Sequence, residues 1–200
     1  MITENILSYI FFKNYCEPDS KVFFKFHHNS SIKRKRDWLY WCAPEVDIIE
    51  VKKDGTIIGY ELKADRRKPN GEESPGLFAG IDQAIAYLDL PRICENWQEG
   101  FKEKFQGGAF DFVYVVYTRQ NDDFSQREVR IFNVLPIGVI LVLPNGECKR
   151  VREAPVNPLL EVGAKNHFLN NLDTLVKHTI NSGIFSKIKL HGEAYLSGLR

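Results

Sequence analysis

The chain has 200 residues, of which 44% are hydrophobic and 26% are charged, and its formal net charge is +1. This length and composition exclude a largely disordered chain and predict one domain with a buried core. No apolar run approaches the roughly 18 residues of a membrane span, the N-terminus lacks a secretory-leader pattern, and the near-neutral charge excludes a globally basic nucleic-acid binder.

The first part of the chain predicts a helix followed by a strand. A helix is expected over residues 3–15, because Thr3 is a suitable N-cap and apolar residues recur on one face. Residues 21–27 alternate like a strand. The alternation predicts one shared side for Val22, Phe24 and Phe26.

The central part predicts a hairpin and a helix. Aromatic residues 38–41 lead towards a strand, and residues 45–52 and 56–64 form two strand-like runs around a short turn. A polar loop over 65–76 and a helix over 77–90 follow.

The remaining elements complete the predicted sheet. We expect an amphipathic helix that opens at Pro91 and ends near residue 107, and a buried central strand over 112–118. Further strands are predicted over 129–134 and 139–143, with a turn at 144–146. A C-terminal helical region begins at Asn157-Pro158 and stops at Gly183.

This order predicts an α/β fold with a central mixed β-sheet flanked by helices. No linker or internal repeat divides the chain, so residues 1–200 are expected to form a single domain. Its core would span about residues 1–120, and residues 125–200 would add strands and a C-terminal helix.

The turn of the hairpin decides which side chains face each other. A two-residue turn would place Asp47 and Glu61 on opposite faces. A three-residue turn over 53–55, with Gly55 in the left-handed position, would instead place Asp47 directly opposite Glu61 and Glu45 opposite Lys63. Opposed carboxylates repel unless a cation lies between them. The three-residue turn therefore predicts a hard divalent metal, Mg²⁺ or Mn²⁺, at Asp47 and Glu61.

These residues form a known pattern. Pro44-Glu45-Val46-Asp47 followed by Glu61-Leu62-Lys63 resembles the signature of the PD-(D/E)XK nuclease superfamily. Gln83 and Tyr87, one helical turn apart, resemble the Q-x-x-x-Y motif of its RecB-like branch. The resemblance covers about residues 1–120 and implies a restriction-endonuclease-like αβββαβ core.

The resemblance also implies roles for single residues. Asp47 and Glu61 would bind the metal, Lys63 would assist the hydrolytic water, and Gln83 and Tyr87 would position the substrate backbone or the active-site side chains. The acid directly after the proline is Glu45, which is the alternative to Asp47 as first metal ligand. Family members often place a further acid on the first helix, and the acid at such a place is Glu4.

Two basic clusters flank the expected site. Two solvated loops would explain these clusters without a function, whereas a functional role would be phosphate binding that weakens as salt rises. Trp38, Tyr40 and Trp41 could stack on unpaired bases, although core packing explains such aromatic runs more often. The candidate phosphate-binding residues are Lys33, Arg34, Lys35, Arg36, Arg66, Arg67 and Lys68.

The sequence thus predicts a Mg²⁺- or Mn²⁺-dependent nuclease with DNA as the expected substrate and no membrane partner. Alternatives are an inactive nucleic-acid-binding or protein-interaction module on the same fold, and an RNA- or nucleotide-directed hydrolase. A second metal and a homodimer stay open. The four cysteines form no C-x-x-C pair, so free thiols and a cytoplasmic location are expected, without structural zinc.

Overall fold

A six-stranded mixed sheet forms the centre of the protein, which is an α/β structure. The computed structural model describes residues 2–26, 38–64, 66–67, 73–74, 78–95, 102–119, 124–173 and 183–198. The strands in chain order are β1 (Lys21–Phe26), β2 (Trp38–Trp41), β3 (Val46–Val51), β4 (Ile57–Lys63), β5 (Arg66–Arg67), β6 (Glu73–Ser74), β7 (Arg92–Glu95), β8 (Lys102–Glu103), β9 (Phe112–Thr118), β10 (Gly138–Val142) and β11 (Cys148–Arg152).

The central sheet has the order β1-β3-β4-β9-β10-β11. Strands β1, β3 and β4 are antiparallel neighbours, whereas β4, β9 and β10 run parallel. The predicted strand over 112–118 is confirmed, and burial on both faces explains its almost wholly apolar sequence. Strands β2, β7 and β8 form a separate small sheet, and β5 pairs with β6.

Helices cover both faces of the central sheet. Their bounds are α1 (Glu4–Asn14), α2 (Ile81–Ala86), α3 (Gln126–Phe132), α4 (Val162–Asn170) and α5 (Gly183–Ser197). One core cluster joins the sheet to α1 and α5, for example through Phe11 and Ile188. The other joins the opposite face to α2, α3 and α4, for example through Phe132 and Phe168. Thr3 caps α1 as predicted, because its hydroxyl accepts a hydrogen bond from the amide of Ile6.

The hairpin between β3 and β4 has the predicted three-residue turn. The amide of Lys52 donates to the carbonyl of Thr56 at 2.9 Å, which makes these two residues the last pair before the turn. Gly55 has a φ of 82°, the left-handed conformation that the turn requires. The residue pairs of β3 and β4 run from Val51–Ile57 to Ile48–Tyr60, so the predicted register is confirmed over this range.

The prediction that Val22, Phe24 and Phe26 share one side is wrong. Val22 and Phe24 pack in the cluster under α1, whereas Phe26 packs in the opposite cluster with Phe23. The cause lies at Lys25, whose φ of 52° interrupts the extended backbone. An interrupted strand no longer alternates its side chains, so a period of two cannot be continued across this residue.

Two predicted elements have the wrong secondary structure. The helix expected from Pro91 is absent from the described residues 92–95, which form β7 and pair with β2. Residues 129–134, expected as a strand, belong mainly to α3. The decisive feature is a capping box that the interpretation overlooked, in which Ser125 and Glu128 bond to each other's backbone amides.

The helices near α2 and at the C-terminus also differ from expectation. Within the range 77–90, α2 ends at Ala86 and a 3₁₀ turn, Tyr87–Asp89, follows. Gly183 does not stop a helix but begins α5, so this helix was missed. The expected strand over 139–143 and the turn at 144–146 are confirmed by β10 and its hairpin to β11.

No helix in the described parts of the chain has the length and apolar character needed to cross a membrane.

Candidate functional site

Several predicted residues converge where β3 begins and β4 ends. In open α/β sheets, ligand sites commonly lie at the carboxyl ends of parallel strands, which here are β4 and β9. The loop before α2 passes over this edge, since the hydroxyl of Tyr117 on β9 donates to the carbonyl of Ala79 at 3.0 Å. The site is therefore built from neighbouring strands and the helix that follows them.

Asp47 lies one step beyond Ile48–Tyr60, the last pair of β3 and β4, and an extension of this register would place it opposite Glu61. Its side chain is buried, with 5% of the residue surface exposed. One carboxylate oxygen, Oδ2, accepts a hydrogen bond from the backbone amide of Leu62 at 2.8 Å. The other, Oδ1, pairs with the ammonium of Lys25. A side-chain oxygen of β3 thus accepts a hydrogen bond from a backbone amide of β4.

Glu61 is more deeply buried, at 1% exposure. Its Oε1 lies 2.5 Å from the ammonium of Lys63, and its Oε2 accepts a hydrogen bond from the hydroxyl of Tyr87. The same hydroxyl lies within hydrogen-bonding distance of the carbonyl oxygen of Glu45. Tyr87 therefore holds the Glu61 side chain from the side of α2.

The two carboxylates influence each other electrostatically. Burial, followed by the negative charge of Asp47, raises the pKa of Glu61 to about 7, although Lys63 and Tyr87 act in the opposite direction. Burial also raises the pKa of Asp47, against the lowering effect of Lys25. A cation near these two carboxyl groups would therefore lower their pKa values and favour the ionised forms.

Lys63 is held on two sides. Its ammonium donates to Oε1 of Gln83 at 2.6 Å, in addition to its ion pair with Glu61. Gly80, with a φ of 83°, lies against its stem, and a Cβ there would collide with Cε of Lys63 and come within 3.2 Å of Cγ of Glu61. The glycine is therefore required twice, by its left-handed backbone and by the close approach of Lys63.

A second lysine, which the sequence interpretation missed, lies on the other side of Asp47. The ammonium of Lys25 is 2.5 Å from Glu4, 3.8 Å from Glu45 and in direct contact with Asp47. Burial alone would lower the pKa of Lys25, but the carboxylates of Asp47 and Glu4 raise it above its ordinary value. The one local indication was a lysine inside the apolar run Val22-Phe23-Phe24-Lys25-Phe26.

Each buried carboxylate is thus paired with its own ammonium. No group of three or more His, Cys, Asp or Glu side chains that could hold a metal ion occurs among the residues that the structure describes. Glu4 and Glu45, both considered as metal ligands, instead lie around Lys25. The described acids Glu4, Glu45, Asp47 and Glu61 nevertheless outnumber the two lysines.

The predicted nucleic-acid-binding residues are described only in part. Lys33, Arg34, Lys35, Arg36 and Lys68 lie outside the described residues, and Arg66–Arg67 is described as the backbone of β5.

The aromatic run 38–41 divides in a similar way. Tyr40 is 3% exposed, packs in the core and has its hydroxyl 3.0 Å from Nδ1 of His167. Base stacking by Tyr40 is therefore wrong, and core packing is correct for this residue. Trp38 and Trp41 are described through the backbone of β2.

Comparison of the chain with protein-family models, with curated proteins and with solved structures gives no match. A functional assignment consequently depends on the chain's own residues and their geometry.

Proposed function

We propose that this protein is a metal-dependent nuclease of the PD-(D/E)XK type, which hydrolyses phosphodiester bonds with DNA as its expected substrate. The observation that carries the proposal is that Asp47 and Glu61 lie on neighbouring strands, one step beyond the paired residues Ile48 and Tyr60, with the ammonium of Lys63 beside Glu61. Structural ion pairs also occur in buried sites, but two adjoining buried carboxylates with raised pKa values are typical of sites that bind cations.

The order of elements supports a restriction-endonuclease-like fold. The sequence α1, β1, β3, β4, α2, β9 corresponds to the αβββαβ order that the resemblance implies, with β2, β5, β6, β7 and β8 as insertions. The four strands of this set are consecutive neighbours in the central sheet, and β9 is parallel to β4 as expected after a crossover through α2. Strands β10 and β11 extend the same sheet beyond this core.

The donor set fits a hard divalent cation. All the acidic side chains at this edge offer oxygen atoms, which Mg²⁺ and Mn²⁺ prefer. Asp47 and Glu61 would hold the ion. When bound, such an ion would lower the pKa of a water molecule and offset negative charge on a phosphate.

The chain's own residues would orient the reacting groups. Gln83 accepts a hydrogen bond from the ammonium of Lys63. The Lys63 side chain is 24% exposed and can therefore contact a substrate. There it would stabilise the negative charge that develops on the scissile phosphate. Tyr87 and the Leu62 amide would hold Glu61 and Asp47 in place, because each donates to one carboxylate oxygen.

The test is cleavage of plasmid, linear duplex and single-stranded DNA with Mg²⁺ or Mn²⁺. We expect Asp47→Asn, Glu61→Gln and Lys63→Met each to lower the rate by about a hundredfold or more, and chelation of the metal to abolish it. Glu50→Gln is the matched control. It also neutralises a buried carboxylate of β3, but one that bonds to Tyr60 and Ser20 on the other face of the sheet.

Cleavage that survives all three substitutions would contradict the proposed site. The pairing of each carboxylate with a lysine favours a second candidate, a nucleic-acid-binding module without catalysis. Salt-sensitive DNA binding without cleavage in either metal would support this module.

A further inference from the structure

The environment of Lys25 resembles the ligand shell of a cation. Its ammonium lies among three carboxylates that come from separate parts of the fold: Glu4 at the start of α1, Glu45 before β3, and Asp47 on β3. The same three acids are those that the sequence offers, beside Glu61, as metal ligands. A single ammonium therefore lies among three of the acids that the sequence suggests as metal ligands.

The backbone at Lys25 is arranged to deliver this side chain. Phe24 pairs with Ile48 and Phe26 with Val46, so Lys25 lies across from Asp47 in the register. Its φ of 52° falls in the left-handed region, which a lysine seldom adopts inside a strand. Such strained residues concentrate at functional sites, where the surrounding structure holds them. The packing of Phe24 and Phe26 into opposite cores provides that hold.

The three carboxylates around Lys25 could also bind a cation of higher charge. A lysine brings one positive charge on a flexible stem, and the Lys25 side chain is 19% exposed, so its ammonium has a route away from Asp47. A divalent ion brings two positive charges to carboxylates that are close together. The ammonium and the ion would compete for Oδ1 of Asp47, the oxygen that does not accept the hydrogen bond of the Leu62 amide.

We propose that Lys25 is an internal competitor of the divalent ion: its ammonium occupies Asp47 and Glu4 until a metal displaces it. This inference rests on the proposed function, because it requires that Asp47 and Glu61 bind a divalent ion. Lys25 thereby sets the metal concentration at which the site fills. Lys63 has a different role, since its ammonium pairs with Glu61 and donates to Gln83.

The test is direct binding of Mn²⁺, measured from the electron paramagnetic resonance of the free ion and independent of any cleavage. Lys25→Gly and Lys25→Met remove the ammonium, and the glycine also suits the left-handed backbone. We expect both variants to bind Mn²⁺ at least about tenfold more tightly than the wild-type protein, since an opposing charge a few ångströms away is lost. Lys25→Arg, which keeps a positive charge, should not bind more tightly.

Two controls separate the competitor from a general charge effect. Lys21→Met removes another lysine of the same strand, whose ammonium pairs with the exposed Asp173. This substitution should leave Mn²⁺ affinity unchanged. Asp47→Asn combined with Lys25→Gly should lose the tight site. Circular dichroism of every variant checks folding, and Lys25→Gly remains informative if Lys25→Met does not fold.

The outcomes distinguish this inference from the proposed function. If the wild-type protein binds Mn²⁺ through Asp47 and neither Lys25→Gly nor Lys25→Met binds more tightly, the competitor is overturned and the metal site stands. If neither the wild-type protein nor the variants bind Mn²⁺ in a manner that depends on Asp47 and Glu61, both proposals fail together.

Discussion

At the scale of single residues, the candidate site consists of two buried ion pairs, Asp47 with Lys25 and Glu61 with Lys63. Removing one partner of a buried pair leaves an uncompensated charge, which typically costs about 3–5 kcal/mol of stability. Substitutions at this site must therefore be judged on folding and on function separately. Two such tests follow from the side chains around Glu61.

The pKa of Glu61 predicts how the stability of the metal-free protein changes with pH. This pKa is raised from 4.5 to about 7, so between these values the folded protein holds a proton that the unfolded chain has lost. The free energy of unfolding should accordingly fall as pH rises through this window and level off above it. Denaturant unfolding in the presence of a chelator, at pH values across the window, measures the slope. Glu61→Gln should lack this component, and equal slopes in both proteins would contradict the assignment.

Tyr87 predicts a specific effect of one hydroxyl group. Tyr87→Phe keeps the buried ring and removes the donor to Glu61. We expect DNA cleavage to fall about tenfold to a hundredfold, as when the partner of a metal ligand is removed, and unfolding free energy to fall by about 1–2 kcal/mol. Tyr114→Phe is the matched control, because its hydroxyl also donates to a carboxylate, Glu153, but in the opposite core layer. An equal loss of cleavage in both variants would contradict the positioning role of Tyr87.

At the scale of elements, the segment between β4 and β9 closes the site. The turn that ends at Gly80 lies against Lys63, and α2 then carries Gln83 towards the same ammonium. Tyr87, on the next turn of helical backbone, reaches Glu61. Helix α2 and the 3₁₀ turn that follows it thus contact both charged residues of β4. The spacing between Gln83 and Tyr87 matters because residues four positions apart lie on the same side of a helical segment.

Gly80 gives a prediction about this segment. Gly80→Ala strains a left-handed backbone and places a methyl group against Lys63, so we expect Lys63 to be displaced and cleavage to be lost. Gly55→Ala is the matched control, because its φ of 82° is almost the same and the nearest atom among the described residues, Cδ1 of Leu169, would lie 3.6 Å from the added Cβ. Both variants should lose about 1 kcal/mol of stability from backbone strain. Full activity of Gly80→Ala in a DNA cleavage assay would contradict the close packing.

At the scale of the whole molecule, the C-terminal helix supports the N-terminal one. Helix α5 packs on α1, and Gly192 of α5 lies against the ring of Tyr9, where any Cβ would collide with the ring. Helix α1 carries Glu4, which contacts Lys25. The end of the described chain therefore stabilises the layer that brings an acid to the site, although α5 is distant from the site in sequence.

Gly192 predicts the strength of this packing. Gly192→Ala should lower the unfolding free energy by about 1–3 kcal/mol, because the added methyl group overpacks the contact between the helices. Gly183→Ala, at the start of the same helix, meets no atom of the described residues within 4 Å and should be neutral or slightly stabilising. Thermal and denaturant unfolding of both variants measure the difference. Similar stabilities would contradict a close contact between α5 and α1.

The parts of the fold that depend on local sequence patterns could be predicted from the sequence. Gly55 fixes a three-residue turn, the turn fixes the register of β3 and β4, and the register places Asp47 opposite Glu61. The apolar run over β9 likewise indicated a central strand. These features were predictable because turn conformation and alternation depend on residues that are neighbours in the chain. The capping box that begins α3 was equally local and was simply overlooked.

The ion-pair partners of the site residues became known only from the tertiary structure. Lys25 reaches Asp47 because its backbone leaves the extended conformation, and Glu4 joins them because α1 packs across the sheet. Strand β7 forms because β2 offers it a partner some fifty residues earlier in the chain, against the helical pattern after Pro91. Contacts between segments distant in sequence depend on the packing of both surfaces, and no local periodicity contains that information.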